Sequence, residues 1–345
     1  MKSSKESRRN FIKKSVLGVG AISVLGNNTN CAADKTSGTQ KKKLPREVWI
    51  ATISQEKLHA ENSTQMISKI LGLMEEIAPL KPDIICTPEI FPFVGISKKM
   101  SVEDAAEEGI GKTIKPFSDF AKKNRCYIIC STYTKEAGKY YNAAVLLDRD
   151  GKRVGEYRKM FPTIGECDSN LCPGSTDPPV FQTDFGKIGM QICYDINWVD
   201  GWNTLKRKGA EIVFWPSAYG GGAKLNSYAN LFNYHVVSST RKNISKIIDV
   251  TGENIATTGS WERNWICTSV NLEKEIINVW PSSKYYKRIL GKYGRDVKIT
   301  TLHDDGISIL ESLSVNLKVA DILKEFKIKT VKENMLSAEN AQKKI

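Results

Sequence analysis

The sequence has few of the features that define three common classes of protein. No run approaches the roughly 18 to 20 apolar residues that cross a bilayer. The eight cysteines never show a C-x-x-C spacing, and the three histidines, His59, His235 and His303, are isolated from one another. No repeat occurs at a solenoid or propeller period. We therefore predict no membrane span, no metal site, no other cofactor and no repeat architecture.

Composition and charge indicate an ordinary globular protein. The chain has 345 residues, of which 41% are hydrophobic and 26% charged, with a formal net charge of +13. Residues 1–33 contribute +5 of this charge, from six basic side chains and one acid. The remaining charge is scattered and forms no basic stripe interleaved with aromatic residues. We expect a solvated surface here, with no nucleic-acid partner.

The N-terminal segment has the pattern of an export signal. Basic residues precede a short apolar stretch from Val16 to Gly26, as in secretory signals. Residues 7–13, Ser-Arg-Arg-Asn-Phe-Ile-Lys, resemble the twin-arginine motif, with Ile12 at the Leu position. We predict a twin-arginine signal over 1–33, a linker over 34–45 and a periplasmic location. A lipid anchor at Cys31 is the lesser alternative, because Asn30 is a poor residue to precede a lipidated Cys.

The rest of the chain alternates short apolar strands with helical patterns. One helix presents Ile67, Ile70, Met74 and Ile77 on a single face, with Asn62 or Ser63 as its cap. Two hairpins follow, Tyr141–Leu147 with Arg153–Arg158, and Phe181–Thr183 with Lys187–Cys193. Mixed strands with helices between them predict one α/β sandwich domain over 46–328. Residues 329–345 form a polar tail that we expect to fray.

Four residues at predicted strand ends have side chains capable of chemistry. Glu89 follows Pro88 where a buried strand stops, and Lys159 closes the first hairpin. Glu166 comes seven residues after Lys159, and Cys193 ends the strand 188–192. Singly, each has an ordinary explanation: a turn residue, a surface lysine or a small buried thiol. Strand ends are also where rigid scaffolds present reactive groups.

Taken together, these residues resemble the catalytic set of the nitrilase superfamily of carbon–nitrogen hydrolases, which is Glu, Lys and Cys in chain order. The motifs that carry the resemblance are Thr87-Pro88-Glu89-Ile90-Phe91, Tyr157-Arg158-Lys159-Met160-Phe161-Pro162-Thr163, Gly189-Met190-Gln191-Ile192-Cys193-Tyr194-Asp195, and the strand Gly209-Ala210-Glu211-Ile212-Val213-Phe214-Trp215-Pro216-Ser217. The resemblance extends from about Val48 to Leu272. It implies a four-layer α-β-β-α sandwich with mixed sheets, and a homo-oligomer built from dimers.

The resemblance also implies a mechanism. Cys193 would be the nucleophile and would form an acyl-enzyme, Glu89 its base, and Lys159 the cation that stabilises the oxyanion together with the Tyr194 backbone N–H. Glu166 would orient Lys159 or the substrate nitrogen. The products would be ammonia or an amine. The substrate-pocket positions implied by the family are Tyr194, Asn197, Trp198, Ser217 and Tyr219.

Departures from the family pattern leave the substrate open. Many relatives carry Arg where this chain has Asn197, and Pro-Glu where it has Val199-Asp200. Cys193-Tyr194-Asp195 is similar to the amidase and carbamoylase branches, so an amide or N-carbamoyl substrate is favoured over a nitrile. Apolipoprotein acyltransferases share the catalytic set but sit among membrane spans. A non-catalytic scaffold on the same fold is the other alternative.

One cysteine pair also allows two interpretations. Cys167 and Cys172 lie in the loop that follows Lys159. In an oxidising periplasm they would form a disulfide beside the active site. Twin-arginine substrates fold before export, so two free thiols are equally consistent with the sequence.

Overall fold

The computed structural model describes residues 44–259 and 263–344. The predicted twin-arginine segment, Cys31 and most of the linker lie outside these residues, so those predictions are untested. No helix in the described ranges is long and apolar enough to cross a membrane. The Cys167 and Cys172 thiols are both free.

The described chain alternates strands and helices as far as residue 344. The strands are β1 (Glu47–Ile53), β2 (Ile84–Cys86), β3 (Tyr127–Glu136), β4 (Lys139–Leu147), β5 (Arg153–Arg158), β6 (Val180–Gln182), β7 (Lys187–Met190), β8 (Ile212–Ser217), β9 (His235–Thr240), β10 (Lys246–Ile248), β11 (Asn254–Thr257), β12 (Trp265–Asn271), β13 (Lys274–Asn278), β14 (Val297–Leu302) and β15 (Ile307–Ser312). The helices are α1 (Ser63–Ile77), α2 (Val102–Ala105), α3 (Lys115–Asn124), α4 (Ile164–Asp168), α5 (Val199–Arg207), α6 (Gly222–Phe232), α7 (Val279–Tyr293), α8 (Val319–Phe326) and α9 (Val331–Gln342).

The first sheet has six strands in the order β12-β1-β2-β3-β4-β5. Strands β1, β2 and β3 are parallel, and β3, β4 and β5 continue as antiparallel hairpins, as the turn signals predict. Helix α1 begins at the predicted cap, because the Asn62 side chain accepts the Gln65 N–H. Its apolar face, including Ile70 and Met74, packs with Phe117 of α3 on the outer side of this sheet.

The second sheet has the order β11-β10-β9-β8-β7-β6 and repeats this plan. Strands β7, β8 and β9 are parallel. Helices α5 and α6 cover its outer face, where Trp202 and Leu205 of α5 pack with Tyr228 of α6. A parallel strand is buried on both faces, which explains why 212–217 is buried throughout.

The inner faces of the two sheets pack against each other and complete the predicted four-layer sandwich. Ile50 and Ile84 of the first sheet share one buried cluster with Ile188 and Phe214 of the second. Hydrogen bonds also join the two sheets where β1, β2 and β9 end. Ser239 Oγ donates to the carbonyls of Ile53 and Cys86 at 2.7 and 3.0 Å. This bonded edge is rigid and brings several strand ends into one small region.

A separate small sheet with its own helices follows the sandwich, and the sequence pattern does not predict it in detail. Strands β13, β15 and β14 form a separate antiparallel sheet, and α7 and α8 pack on it through Ile289 and Phe326. The predicted frayed tail contains helix α9 instead. Thr330 and Glu333 form a reciprocal capping box at its start, which satisfies the first backbone N–H groups.

Candidate active site

Three of the four predicted reactive side chains are buried at neighbouring strand ends. Glu89 follows β2, and Lys159 is the first residue after β5; each side chain is only 2% exposed. Cys193 is 7% exposed. The strand before Cys193 is shorter than predicted. Strand β7 stops at Met190, and Cys193 opens a 3₁₀ turn that extends to Asn197.

Lys159 lies between two carboxylates. Its Nζ is 3.1 Å from Glu89 Oε1 and 2.7 Å from Glu166 Oε2. Asn142, in the middle of β4, bridges the same acids by donating to Glu89 Oε1 at 2.9 Å and to Glu166 Oε1 at 2.7 Å. The four side chains form one network in which a single lysine and one amide hold both acids. We call these four residues the Lys159 cluster.

Helix α4 positions Glu166 within this cluster. Thr163 caps the helix, and its backbone N–H donates to Glu166 Oε2 at 2.7 Å. Burial opposes the charge on Glu166, but Lys159, the Thr163 N–H and the Asn142 amide together outweigh burial and lower the pKa of this carboxyl. Burial likewise opposes the charge on Lys159, yet Glu89 and Glu166 raise its pKa above the usual value. Lys159 is therefore a fixed cation at neutral pH.

The backbone at Cys193 is held in an uncommon conformation. Its φ is +44°, in the left-handed region that residues with a Cβ seldom occupy. The Trp215 indole donates to the Cys193 carbonyl at 3.1 Å, and Asp195 Oδ2 accepts the Ile192 N–H at 3.0 Å. Contacts on both sides of Cys193 thus maintain a strained turn, a feature that clusters at functional sites.

Asp195 ties this turn to the loop that carries Lys159. The carboxylate is fully buried and accepts the Tyr157 hydroxyl at 2.6 Å and the Phe161 N–H at 2.8 Å. Burial raises its pKa to about 6, and these donors limit the rise. Phe161 also stacks on Trp198, with ring centroids 4.0 Å apart. The separation between the thiol and the lysine is therefore fixed by bonds made outside the reacting groups.

The Cys193 thiol is protonated at rest. Burial and the Glu89 carboxylate raise its pKa to about 11, although Lys159, the Ala218 N–H and the Ser217 hydroxyl lower it. A thiol with such a pKa needs a base to remove its proton at the moment of attack. Glu89 has a suitable atom: its Oε2 is buried and accepts no hydrogen bond from the described residues.

An open cavity of about 780 Å³ adjoins this site. Its walls come from residues 55–59, 94–95, 218–219 and 241–243, which follow β1, β2, β8 and β9. Three contacts connect the cavity to the reactive groups. The Ala218 backbone N–H lowers the pKa of the Cys193 thiol, and burial and the charge of Cys193 raise the pKa of Tyr219. Arg241 Nη2 is 3.4 Å from Glu89 Oε2. The cavity is large enough for a small organic substrate.

The predicted pocket residues fall in three places. Tyr219 lines the cavity, and the Ser217 hydroxyl is close enough to Cys193 to lower the pKa of its thiol. Tyr194 and Trp198 pack edge to face beside the Cys193 turn, with centroids 5.2 Å apart. Asn197 is exposed and its amide is already bonded, donating to the Tyr194 carbonyl and accepting from the Lys224 ammonium, both at 3.1 Å.

Sequence reasoning missed Asn142, Asp195 and Arg241. Asn142 had a detectable signal, because an amide inside the apolar run 141–147 needs a buried partner. Asp195 stands two residues after Cys193 and could have been singled out by that position alone. Arg241 had no signal, because Arg-Lys after a strand is typical of a surface. Within the described ranges, no group of three His, Cys, Asp or Glu side chains is arranged to hold a metal.

Replacing Lys159 by Met is expected to reduce both stability and activity. Glu89 and Glu166 would remain buried without their shared cation, which costs about 3–5 kcal/mol of unfolding free energy for a broken buried pair. The role that the family resemblance implies for Lys159, an oxyanion-stabilising cation, predicts that kcat also falls by about 10²- to 10³-fold. Urea denaturation and turnover measurements on the same preparation check both effects.

The matched control is Lys123→Met, which removes an exposed ion pair to Glu75. That change is expected to cost less than about 1 kcal/mol.

The effect of pH on the stability of Lys159→Met has a predictable sign. Lys159 lowers the folded-state pKa of Glu166, so this stabilisation is present above the unfolded pKa and is lost as pH falls through the folded one. The difference in unfolding free energy between the unaltered chain and Lys159→Met should therefore become smaller in acid. A difference that grows in acid contradicts the assignment.

Comparison with known proteins shows a family for the chain. The sequence profile described as "Carbon-nitrogen hydrolase" matches residues 50–275. β-Ureidopropionase of Arabidopsis thaliana is 27% identical over 202 residues, which are 54% of this chain and 49% of that protein. Deaminated glutathione amidase of Dictyostelium discoideum is 28% identical over 174 residues, 46% of this chain and 60% of that protein. The chain thus spans about half the length of these curated relatives.

Solved structures share the fold. An amidase from Nesterenkonia sp. aligns with a TM-score of 0.59 at 16% identity, covering 67% of this chain and 93% of that one. Nit3 of Saccharomyces cerevisiae, a member of branch 10 of the nitrilase superfamily, aligns with a TM-score of 0.57 at 18% identity, covering 66% and 91%. At these identities the likeness confirms the predicted sandwich architecture and nothing finer.

Proposed function

The chain belongs to the carbon–nitrogen hydrolase family, and from this premise we propose that it hydrolyses a non-peptide carbon–nitrogen bond in a small amide or N-carbamoyl compound. The observation that carries the proposal is the convergence of Cys193, Lys159 and Glu89 beside an open cavity. Burying a lysine between two carboxylates has a large desolvation cost, which makes a purely structural role an unfavourable explanation. A thiol next to it gives the arrangement a chemical use.

The first step is attack of the Cys193 sulfur on the substrate carbonyl carbon. Glu89 Oε2, the carboxylate oxygen without a hydrogen bond, takes the thiol proton as the C–S bond forms. The carbonyl π electrons move to the oxygen and give a tetrahedral intermediate. When the C–N bond breaks, the same proton passes from Glu89 to the leaving nitrogen, which departs as ammonia or an amine.

The negative oxygen of this intermediate needs fixed positive partners. Lys159 stays charged at neutral pH because Glu89 and Glu166 raise its pKa. The Tyr194 backbone N–H lies in the first turn of the 3₁₀ segment, where N–H groups have no partner within the helix. Asp195 and Trp215 hold this turn in place, so both donors are oriented before substrate binds.

The second half of the reaction releases the acyl group to water. Glu89 removes a proton from the attacking water, the C–S bond breaks and the proton returns to the Cys193 sulfur. A carboxylic acid forms, or a carbamic acid that loses CO₂ when the substrate is N-carbamoylated. Glu166 and Asn142 hold Lys159 and Glu89 in place through both halves.

Two further candidate functions differ from this one in their products. A nitrile would pass through a thioimidate on the same cysteine, whereas a scaffold protein would turn over nothing. The names of the relatives, an ureidopropionase and amidases, favour amide and carbamoyl substrates. The buried, fully assembled Lys159 cluster argues against a decayed site.

A substrate panel tests the proposal. The chain, without residues 1–33, is assayed for ammonia release from aliphatic amides, ureido acids and aliphatic nitriles. We expect turnover of at least one amide or ureido acid that exceeds the turnover of every nitrile. Greater activity on nitriles would replace the proposed reaction by nitrile hydrolysis. No ammonia release from any compound of the panel would favour the scaffold.

Export is a separate proposal that rests on the N-terminal pattern alone. The full-length chain, produced in a bacterium with an intact twin-arginine pathway, is expected in the periplasmic fraction. Exchanging Arg8 and Arg9 together for Lys should retain it in the cytoplasm, whereas Lys13→Arg should not. Cytoplasmic accumulation of the unaltered chain contradicts the proposal. Membrane association that is lost in Cys31→Ser would instead support the lipid anchor.

A further inference from the structure

Arg241 stands at the junction between the reactive groups and the cavity. It follows β9, and its backbone N–H donates to the Ser217 carbonyl at 2.9 Å, which fixes it beside the end of β8. Its Nη2 is 3.4 Å from Glu89 Oε2, and its side chain is 24% exposed. The guanidinium is therefore anchored on one side by the proposed catalytic base and open to the cavity on the other.

Most of the Arg241 side-chain donors have no protein partner among the residues that the structure describes. A guanidinium has five N–H donors in a planar fork. In residues 44–259 and 263–344, the Arg241 side chain makes the ionic contact to Glu89 and donates no hydrogen bond of standard geometry. Such a group, held in place at a cavity wall, is suited to a planar acceptor such as a carboxylate, which it contacts with two parallel hydrogen bonds.

The cavity wall around Arg241 has an excess of positive charge. Its described lining includes the cations Lys57, Arg241 and Lys242 and a single carboxylate, Glu56. Glu56 Oε2 is occupied, because it accepts the Asn243 N–H at 2.5 Å. In the adjoining reactive site, Lys159 and Arg241 together balance Glu89 and Glu166. With Arg241 counted there, the wall still has two cations, Lys57 and Lys242, against Glu56. A negatively charged substrate therefore meets net attraction at the wall and a nearly neutral reactive site.

We infer that the site selects substrates that carry a carboxylate, and that Arg241 binds it. This inference rests on the proposed function and narrows it to acidic amides and ureido acids. The scissile carbonyl lies at Cys193, and the carboxylate of the same molecule lies on the Arg241 side of the cavity. Arg241 is thus a specificity-determining residue, and its contact with Glu89 keeps its guanidinium oriented in the absence of substrate.

Pairs of substrates with the same shape and different charge test this directly. Glutaramate is compared with glutaramide, and N-carbamoyl-β-alanine with its amide; each pair replaces a carboxylate by an isosteric carboxamide. We expect kcat/KM to favour the anion by about 10- to 100-fold, the usual contribution of a charge-assisted hydrogen-bonded pair. Arg241→Gln should bring the ratio close to one, Arg241→Lys should keep part of it, and the remote, exposed Arg295→Gln should leave it unchanged.

Two results of this assay overturn the inference while the proposed function stands. The first is equal kcat/KM for the anion and its neutral isostere in the unaltered protein. The second is an Arg241→Gln variant that loses the same factor on both members of a pair. An equal loss on both members of a pair means that Arg241 supports Glu89 and does not bind substrate.

Alkylation provides a readout that does not depend on turnover. Iodoacetate and iodoacetamide differ in the same way as the substrate pairs, and peptide mass analysis measures their reaction with Cys193. The exposed Cys167 serves as an internal reference in the same molecule. We expect the iodoacetate-to-iodoacetamide rate ratio to be at least about tenfold higher at Cys193 than at Cys167. Arg241→Gln and added salt should both reduce this preference.

The two experiments separate the possible failures. If no amide or ureido acid is hydrolysed but Cys193 prefers iodoacetate and Arg241→Gln removes this preference, the proposed function fails and the anion-binding role of Arg241 stands. If hydrolysis occurs and Cys193 shows no preference beyond that of Cys167, the carboxylate selectivity is wrong.

Discussion

Replacing Cys193 by Ala is expected to lower the hydrolysis of any accepted substrate by at least about 10⁴-fold. The methyl group offers no electron pair, so the acyl-enzyme cannot form. Binding should persist, because the cavity walls and Arg241 are untouched. Ammonia release under saturating substrate measures the loss, and calorimetric titration of the variant with the same substrate measures the retained binding.

The control for this variant is Cys267→Ala, which makes the same change on β12. Cys267 packs against the cluster between the first sheet and its helices, away from the cavity. Its thiol has no part in the mechanism, so turnover should stay within about twofold. A Cys193→Ala protein that folds and keeps the rate of the unaltered chain would refute covalent catalysis at this residue.

The sequence motifs locate the candidate site better than they predict its surroundings. Glu89, Lys159 and Cys193 stand at strand ends whose order along the chain is distinctive, and the structure brings them into one buried region. Their burial follows from the sandwich, because the strands that precede them are apolar and lie between two layers. Their roles remain a proposal that the variants above test.

What the motifs do not predict is set by contacts between distant segments. The Lys159 cluster needs Asn142 from β4, and the cavity needs Arg241 from the end of β9. Neither residue is near a motif in the chain, and each reaches the candidate site only in the folded protein, through contacts with distant segments. The Asn142 amide was detectable as a polar group in a buried strand, whereas Arg241 was indistinguishable from a surface arginine.

The backbone at the nucleophile shows a second limit of sequence reasoning. The apolar run before Cys193 predicts a strand to residue 192, yet the strand ends at Met190 and Cys193 adopts a φ of +44°. Ile192 keeps an extended backbone, and the contacts from Trp215 and Asp195 hold the next residue, Cys193, in the left-handed region. Local propensity could not foresee this, because both contacts depend on how β8 and the turn pack.

Replacing Glu89 by Gln is expected to change two reactions of Cys193 in opposite directions. Hydrolysis should fall on the order of 10⁴-fold, the upper end for a general base, because one carboxylate handles the proton in both halves of the reaction. Alkylation by iodoacetamide near neutral pH should become faster. Burial and the Glu89 charge together raise the pKa of the Cys193 thiol, while Lys159 lowers it. Removing that charge lowers the pKa and increases the thiolate fraction.

The pH profile of alkylation distinguishes this mechanism from general damage to the site. In the unaltered protein the rate should rise toward a pKa of about 11; in Glu89→Gln the rise should occur at lower pH. Gln keeps an oxygen that can accept from Lys159 and Asn142, so the cluster stays assembled. The matched control is Glu166→Gln, which also removes one carboxylate from Lys159 but is not among the groups that raise the Cys193 pKa. If Glu89→Gln slowed both reactions together, the predicted effect of the Glu89 charge on the Cys193 thiol would be wrong, whereas slower hydrolysis with faster alkylation shows that turnover needs the Glu89 carboxylate for more than setting the thiol pKa.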